Sequence, residues 1–171
     1  LPNASFDFVC ANYDFKNTVL DTLVKPYKIF FKDGIKIGVF GLGIELLHLV
    51  SPDLYKETKY LNPIEIAQDI SRDLKDKEAC DLVICLSHLG YNYKNSDKIS
   101  DLKLAAATKD IDLIIGGHTH TFLPKPTLVK NASDENVLVN QVGAYGVHLG
   151  RVDFYFDEQH QRETSNKTII L

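Results

Sequence analysis

Three histidines stand where imidazole chemistry is possible: His88 in CLSHLGY, residues 85–91, and His118 and His120 in DLIIGGHTHTFL, residues 112–123. Both segments begin as apolar runs and turn polar at the histidine. A neutral imidazole offers one nitrogen lone pair to a cation while its second nitrogen keeps a proton for a hydrogen bond. With metal–nitrogen distances of about 2.0–2.1 Å, a histidine pair can chelate one ion, or serve two ions roughly 3.5–4 Å apart. On extended backbone, residues i and i+2 point to one side, so His118 and His120 are expected to address one small volume. His-x-His alone is a weak motif, because a lone loop histidine is usually hydrogen-bonded scenery; His48, His148 and His160 are read that way.

The elements around these residues strengthen the metal reading. DLVICLS (81–87) and IDLIIG (111–116) are continuous apolar runs, as expected of strands buried on both faces of a parallel sheet. Ligands of such sheets collect at the carboxyl ends of the strands, and His88 and His118 each leave a strand there. Their separation suits one strand–helix–strand crossover, which makes the two strands neighbours about 5 Å apart. Asp81 and Asp112 open the same strands at the far edge, roughly 20 Å away at about 3.3 Å per residue. Glu45, after GVFGLG, is the one other carboxylate with a route to the histidine edge, and it is not counted as a ligand: the chain offers three imidazoles and no assured carboxylate.

FDFVCAN (6–12) reads as a strand, and residues 27–43 as a hairpin hinged at Asp33-Gly34. Asn62-Pro63 starts a helix that runs to about Glu78, with Glu65 at the capping-box position and Ile66, Ile70 and Leu74 at helical spacing. A second helix is expected over 97–109. TLVKNA (127–132), VLVNQVG (137–143) and HLGRVDFYFD (148–157) are strands with no helix between them, so antiparallel pairing is expected. The fold class is α/β, parallel strands with helices followed by antiparallel strands, and residues 1–171 read as a single unit.

At 171 residues, 44% hydrophobic and 25% charged, the chain is about one globular domain. A net charge of −4 argues against a nucleic-acid polymer or an anionic membrane as partner, and an anionic substrate would need positive charge supplied locally. No apolar run approaches the roughly 18 residues of a membrane span. Cys10, Cys80 and Cys85 are an odd set, and Cys10 and Cys85 lie in apolar runs, as buried free thiols do. The chain contains no methionine, so an upstream segment is expected to precede Leu1.

CLSHLGY, DLIIGGHTHT (112–121) and NQVGAYGVHLGRVDF (140–154), in that order, resemble the calcineurin-like metallophosphoesterases, in the branch of 5′-nucleotidases and 2′,3′-cyclic-nucleotide phosphodiesterases. FDFVCANYDF (6–15) is similar to the segment that follows the metal-binding asparagine motif of that branch. The resemblance implies half of a four-layer αββα sandwich, the C-terminal portion of a catalytic domain. It implies two divalent metal ions, zinc, manganese or similar, with His88 and His118 on one ion and His120 on the other. Such ions polarise a phosphate ester and generate the attacking hydroxide, which suits a chain without a basic pocket of its own.

The family's other ligands are an Asp-x-His pair, a bridging aspartate and an asparagine followed by histidine; none occurs here. Two close cations repel strongly without an anion between them. The resemblance therefore implies an N-terminal half missing from this chain, supplied in cis or trans, partial or no metal occupancy, an inactive isolated chain, and no catalytic residue within it. The implied substrate is a small-molecule phosphate ester or nucleotide, with the base-binding C-terminal domain also absent, and the implied location is the periplasm or cell surface. Gly143, Gly146 and Gly150 read as turn and close-packing glycines, since a strand rather than a helix N-terminus follows them. Two further readings stand beside this one: a non-catalytic binding or scaffold module that needs a partner, and a mononuclear three-histidine zinc hydrolase.

Overall fold

The computed structural model describes residues 3–94 and 96–157, and the backbone of 162–170. Three short strands open the chain: β1 (Phe8–Val9), β2 (Tyr13–Asp14) and β3 (Val24–Lys25). The strand expected over 6–12 thus contracts to two residues. Its backbone donors divide between two neighbours, Cys10 N bonding Lys25 O at 2.9 Å and Ala11 N bonding Gly41 O at 2.8 Å. Asn12, fully buried, then clamps Gly43 with both ends of its amide, accepting from Gly43 N at 2.7 Å and donating to Gly43 O at 2.8 Å.

The hairpin forms as expected from β4 (Tyr27–Lys32) and β5 (Ile35–Leu42). Asp33 and Gly34 carry φ of 51° and 86°, the left-handed pair that matches strand twist in a two-residue turn. After α1 (Pro52–Tyr55) and β6 (Lys59–Tyr60), which pairs with β2, comes α2 (Pro63–Asp76). Asn62 caps α2 by accepting from Ile64 N at 3.0 Å, and Glu65 closes the turn through the Asn62 side chain at 3.2 Å.

The remaining elements are β7 (Leu82–Ser87), α3 (Asp101–Ala107), β8 (Leu113–Ile115), β9 (Thr127–Lys130), β10 (Asn136–Asn140), β11 (His148–Phe156) and β12 (Arg162–Ile170). Helix α3 is shorter than the expected 97–109. Ser100 caps its start, accepting from Lys103 N at 3.4 Å, and Thr108 leaves the helix in an extended conformation with its buried hydroxyl donated to Leu104 O.

One six-stranded sheet orders β4-β5-β7-β8-β10-β9, with β5, β7, β8 and β10 parallel. The antiparallel expectation for the last third holds for β9–β10, but β10 also runs parallel to β8, and β11 leaves that sheet to pair antiparallel with β12, a strand the sequence reading did not include. No helix lies between β9 and β10, so β9 serves as an edge strand and returns the chain to the sheet's interior.

Helices α2 and α3 cover one face, burying Phe40, Leu74, Val83, Cys85, Leu104, Ile114, Val137 and Val139. The opposite face presents Ile37, Ile84, Leu113 and Ile115 to a cavity of about 1040 Å³ that Leu149, Val152 and Phe154 of β11 wall from across. On that face Leu86 and Ile115 remain 41% and 45% exposed, unusual for central parallel strands.

Leu74 anchors the covered face, fully buried and packed closely over Gly38 of β5. Leu74→Ala is expected to cost about 2–5 kcal/mol, read as a lower denaturant midpoint at unchanged slope; a loss below about 1 kcal/mol would show that the helix layer is not seated as described.

Candidate metal centre

Strands β7 and β8 pair in parallel with Leu86 opposite Ile115, so both carboxyl ends reach the same sheet edge. His88 follows β7 directly, and its backbone N–H donates to Leu42 O at 2.8 Å, which ties it to the end of β5. His118 follows β8 after Gly116 and Gly117. The two imidazoles meet edge to face, with ring centroids 5.3 Å apart at 74°. Gly117 permits the approach: a Cβ at that position would lie 2.9 Å from His88 Nδ1.

His118 is half-buried, whereas His88 and His120 are exposed. Burial, reinforced by the positive charges of His88, Lys98 and His120, pushes the His118 imidazole below its ordinary value. It is neutral at neutral pH, with a lone pair free for a cation. The charge of His120 reaches His118, but its ring packs against Tyr145 at a centroid distance of 5.9 Å.

The expectation of extended backbone through His118-Thr119-His120 fails. Both histidines adopt left-handed φ, 67° and 53°, so strand alternation does not orient them. Side chains rarely take this conformation without support, and each instance costs about 1–3 kcal/mol. The support here is Gln141, buried just after β10. Its amide donates to Gly117 O and accepts from Thr121 N, and Thr119 Oγ1 adds a bond to the same amide at 3.0 Å. Tyr91 N donates to Thr119 Oγ1 at 3.0 Å, linking the loop after β7 to the loop after β8.

Sequence reasoning passed over Gln141, although a polar residue ending an apolar strand at the histidine edge was the available signal. It also passed over Asp101, which the expected 97–109 helix places in its interior and which the structure makes the first residue of α3. Asp101 is fully buried beneath the histidine loops, and burial pushes its carboxyl up to about 7 despite a stabilising bond from Ser87.

Asp81 and Asp112 sit at the far edge, where their carboxylates accept from Lys36 N at 2.7 Å and Val83 N at 2.7 Å. Glu45 is exposed, with its charge acting on Tyr60. His48 is exposed in a loop, and His148 packs on Phe122 at 4.3 Å. His160 lies outside the described residues. Gly143 and Gly146 take φ of 78° and 70° in a turn, while a Cβ on Gly150 would press within 2.8 Å of Asn140, as close packing requires. All three cysteines are free, and burial pushes the Cys10 thiol up to about 11 and Cys85 well above its ordinary value, so neither is a thiolate ligand at neutral pH.

The donor set fits a divalent ion in kind, imidazole nitrogens at a sheet edge, but not in number. Among the described residues, no group of three or more His, Cys, Asp or Glu side chains is arranged to hold a metal ion. His88 and His118 would hold one side of a cation's shell, leaving the rest open to other ligands.

Two outcomes test this arrangement. Gln141→Leu keeps the volume but strands the loop's polar groups, and it is expected to cost about 1–3 kcal/mol in unfolding free energy; an unchanged midpoint would show that the loop holds itself. Asp101 binds its proton more tightly folded than unfolded, so its contribution to stability falls as pH rises from about 3.8 towards about 7. In metal-free protein, wild type should lose up to about 1.4 kcal/mol per pH unit relative to Asp101→Asn across that window. Parallel pH profiles for the two proteins would contradict the buried-carboxyl assignment.

Residues 5–122 match the family described as calcineurin-like phosphoesterase. The trifunctional nucleotide phosphoesterase protein YfkN of Bacillus subtilis is 38% identical over 149 residues, covering 86% of this chain and 10% of its own length. The 5′-nucleotidase of Vibrio cholerae is 32% identical over 172 residues, covering 90% of this chain and 31% of its own. Among solved structures, a 5′-nucleotidase precursor from Thermus thermophilus aligns with a TM-score of 0.82 at 28% identity, over 99% of this chain and 34% of that one. The chain thus spans from a tenth to about a third of the length of these relatives. It belongs to the calcineurin-like phosphoesterase family.

Proposed function

We propose that this chain supplies the histidine half of a dinuclear metal site that hydrolyses phosphate esters of nucleotides or similar small molecules. The observation that carries the reading is the meeting of His88 and His118, rings 5.3 Å apart, at the carboxyl ends of adjacent parallel strands. His88 and His118 would hold one ion and His120 the other, with zinc or manganese as the expected metals. Ions bound there would polarise the phosphate ester and lower the pKa of a bound water. The chain's own residues orient: Gly117 lets the two rings approach, Gln141 holds the His118–His120 loop, and burial keeps His118 unprotonated.

The remaining ligands, the bridging carboxylate above all, come in this reading from another part of the protein. Two observations support that division. The described residues offer a histidine pair instead of a closed shell, and among them the apolar face carrying Ile37, Ile84, Leu86 and Ile115 has no helix layer, only β11 across a cavity. A partner layer seated there would bury this face and complete the site. The names of the relatives, 5′-nucleotidases and a nucleotide phosphoesterase, support a nucleotide substrate. Export to the periplasm or cell surface fits the similar Thermus thermophilus protein, which is named a precursor, and no described helix is long and apolar enough to cross a membrane.

The test compares the full encoded protein with the isolated 171-residue chain on 5′-AMP and on a chromogenic phosphodiester, with manganese or zinc added. The full protein should turn over and the isolated chain should be weak or inactive; equal turnover would favour the mononuclear three-histidine alternative. In the full protein, His118→Ala should lower activity roughly a hundredfold or more and reduce bound metal. Unchanged metal content and rate would refute the assignment.

A further inference from the structure

Helix α3 places its first residue between the two strand ends that carry the histidines. Asp101 is fully buried. Its Oδ1 accepts from Ser87 Oγ at 2.5 Å, and the same Ser87 oxygen accepts from Leu89 N at 3.1 Å, so the bonded pair brackets His88 on both sides. Asp101 N donates to Gly90 O at 2.8 Å and extends the clamp along that loop. The other oxygen, Oδ2, has no hydrogen-bond partner among the described residues and lies against the α-carbon of Gly116, where any Cβ would collide with it. Gly116 itself is fixed by donating to Asn140 O at 2.8 Å, two residues before His118.

Helix capping does not account for this placement. Ser100 already caps α3, and an acidic side chain serving only the helix dipole does so from water, at no desolvation cost. A carboxylate with one oxygen unpaired is an expensive group to bury. What it does there is join two loops: a hydrogen bond from Ser87 holds the Ser87–Leu89 turn on one side, and steric contact sets the height of Gly116 on the other. Gly117 then comes close enough to His88 for the imidazole pair to form.

We infer that Asp101 is a positioning residue that ties the end of β7 to the end of β8 and sets the His88–His118 separation. The inference rests on the metal reading of that pair. Asp101 touches neither substrate nor ion; it acts through Ser87 and Gly116, and a ligand pair displaced by about 1 Å binds a cation poorly.

The experiment titrates the full encoded protein with cobalt(II), following affinity and the visible absorption bands that report ligand geometry. Asp101→Ala should weaken cobalt binding at least about tenfold and shift the bands. Asp101→Asn, which keeps the shape and still accepts from Ser87, should restore most of both. Ser87→Ala removes the bond but keeps the carboxylate, and should show the same shift in smaller measure; it carries the test if Asp101→Ala does not fold. Unchanged affinity and spectrum in folded Asp101→Ala or Ser87→Ala would overturn the positioning role while leaving the histidine pair as a metal site. Wild type that binds cobalt no better than His118→Ala would overturn the underlying metal reading, and this inference with it.

Discussion

The parallel register of β7 on β8 is the constraint from which the site follows. With Leu86 opposite Ile115, both strands end at one edge and release their histidines into the same space. A slip of one residue would exchange the two faces of β8, sending Ile114 out of the helix-covered core and lifting Gly116 off Asp101. The hydrophobic pattern holds the register against that slip. Val83, Cys85 and Ile114 must all face α2 and α3, and burying them is what positions the imidazoles. Packing at the core and geometry at the edge are therefore one property of the sheet.

At that edge the chain spends stability on shape. Two histidines sit in left-handed conformations, and the Asp101 carboxyl is buried with one oxygen unpaired among the described residues. Gln141, Thr119, Tyr91 and Ser87 answer each cost with hydrogen bonds that cross between loops. None of these polar residues sits where a simple fold would need it. Their convergence beneath His88 and His118 marks this edge as the part of the molecule shaped for something other than its own folding.

Much of this was legible in the sequence because the signals are local. The Asp33-Gly34 turn, the Asn62-Pro63 cap, the apolar strands before His88 and His118 and the crossover between them all follow from spacing and residue type. The rest depends on contacts distant in sequence. Whether FDFVCAN forms a long strand is decided by Lys25 and Gly41, which share its donors, and the return of β10 to lie parallel to β8 is decided by the edge strand β9. The conformation of His118 and His120 was misread for the same reason: Gln141, about twenty residues on, bends a segment that alternation alone would extend. The placement of Asp101 is not legible locally because its partners, Ser87 and Gly116, flank it from two other loops.

The half-covered apolar face and the histidine pair belong to one account, in which a second layer completes both the core and the ligand shell. The pair is its centre. Anomalous X-ray diffraction at the metal edge, from crystals of the full protein loaded with zinc or manganese, addresses it directly. The account predicts a metal peak within about 2.0–2.3 Å of an imidazole nitrogen of both His88 and His118. Metal bound away from these rings, or an empty edge with the two imidazoles hydrogen-bonded into the protein, would contradict it.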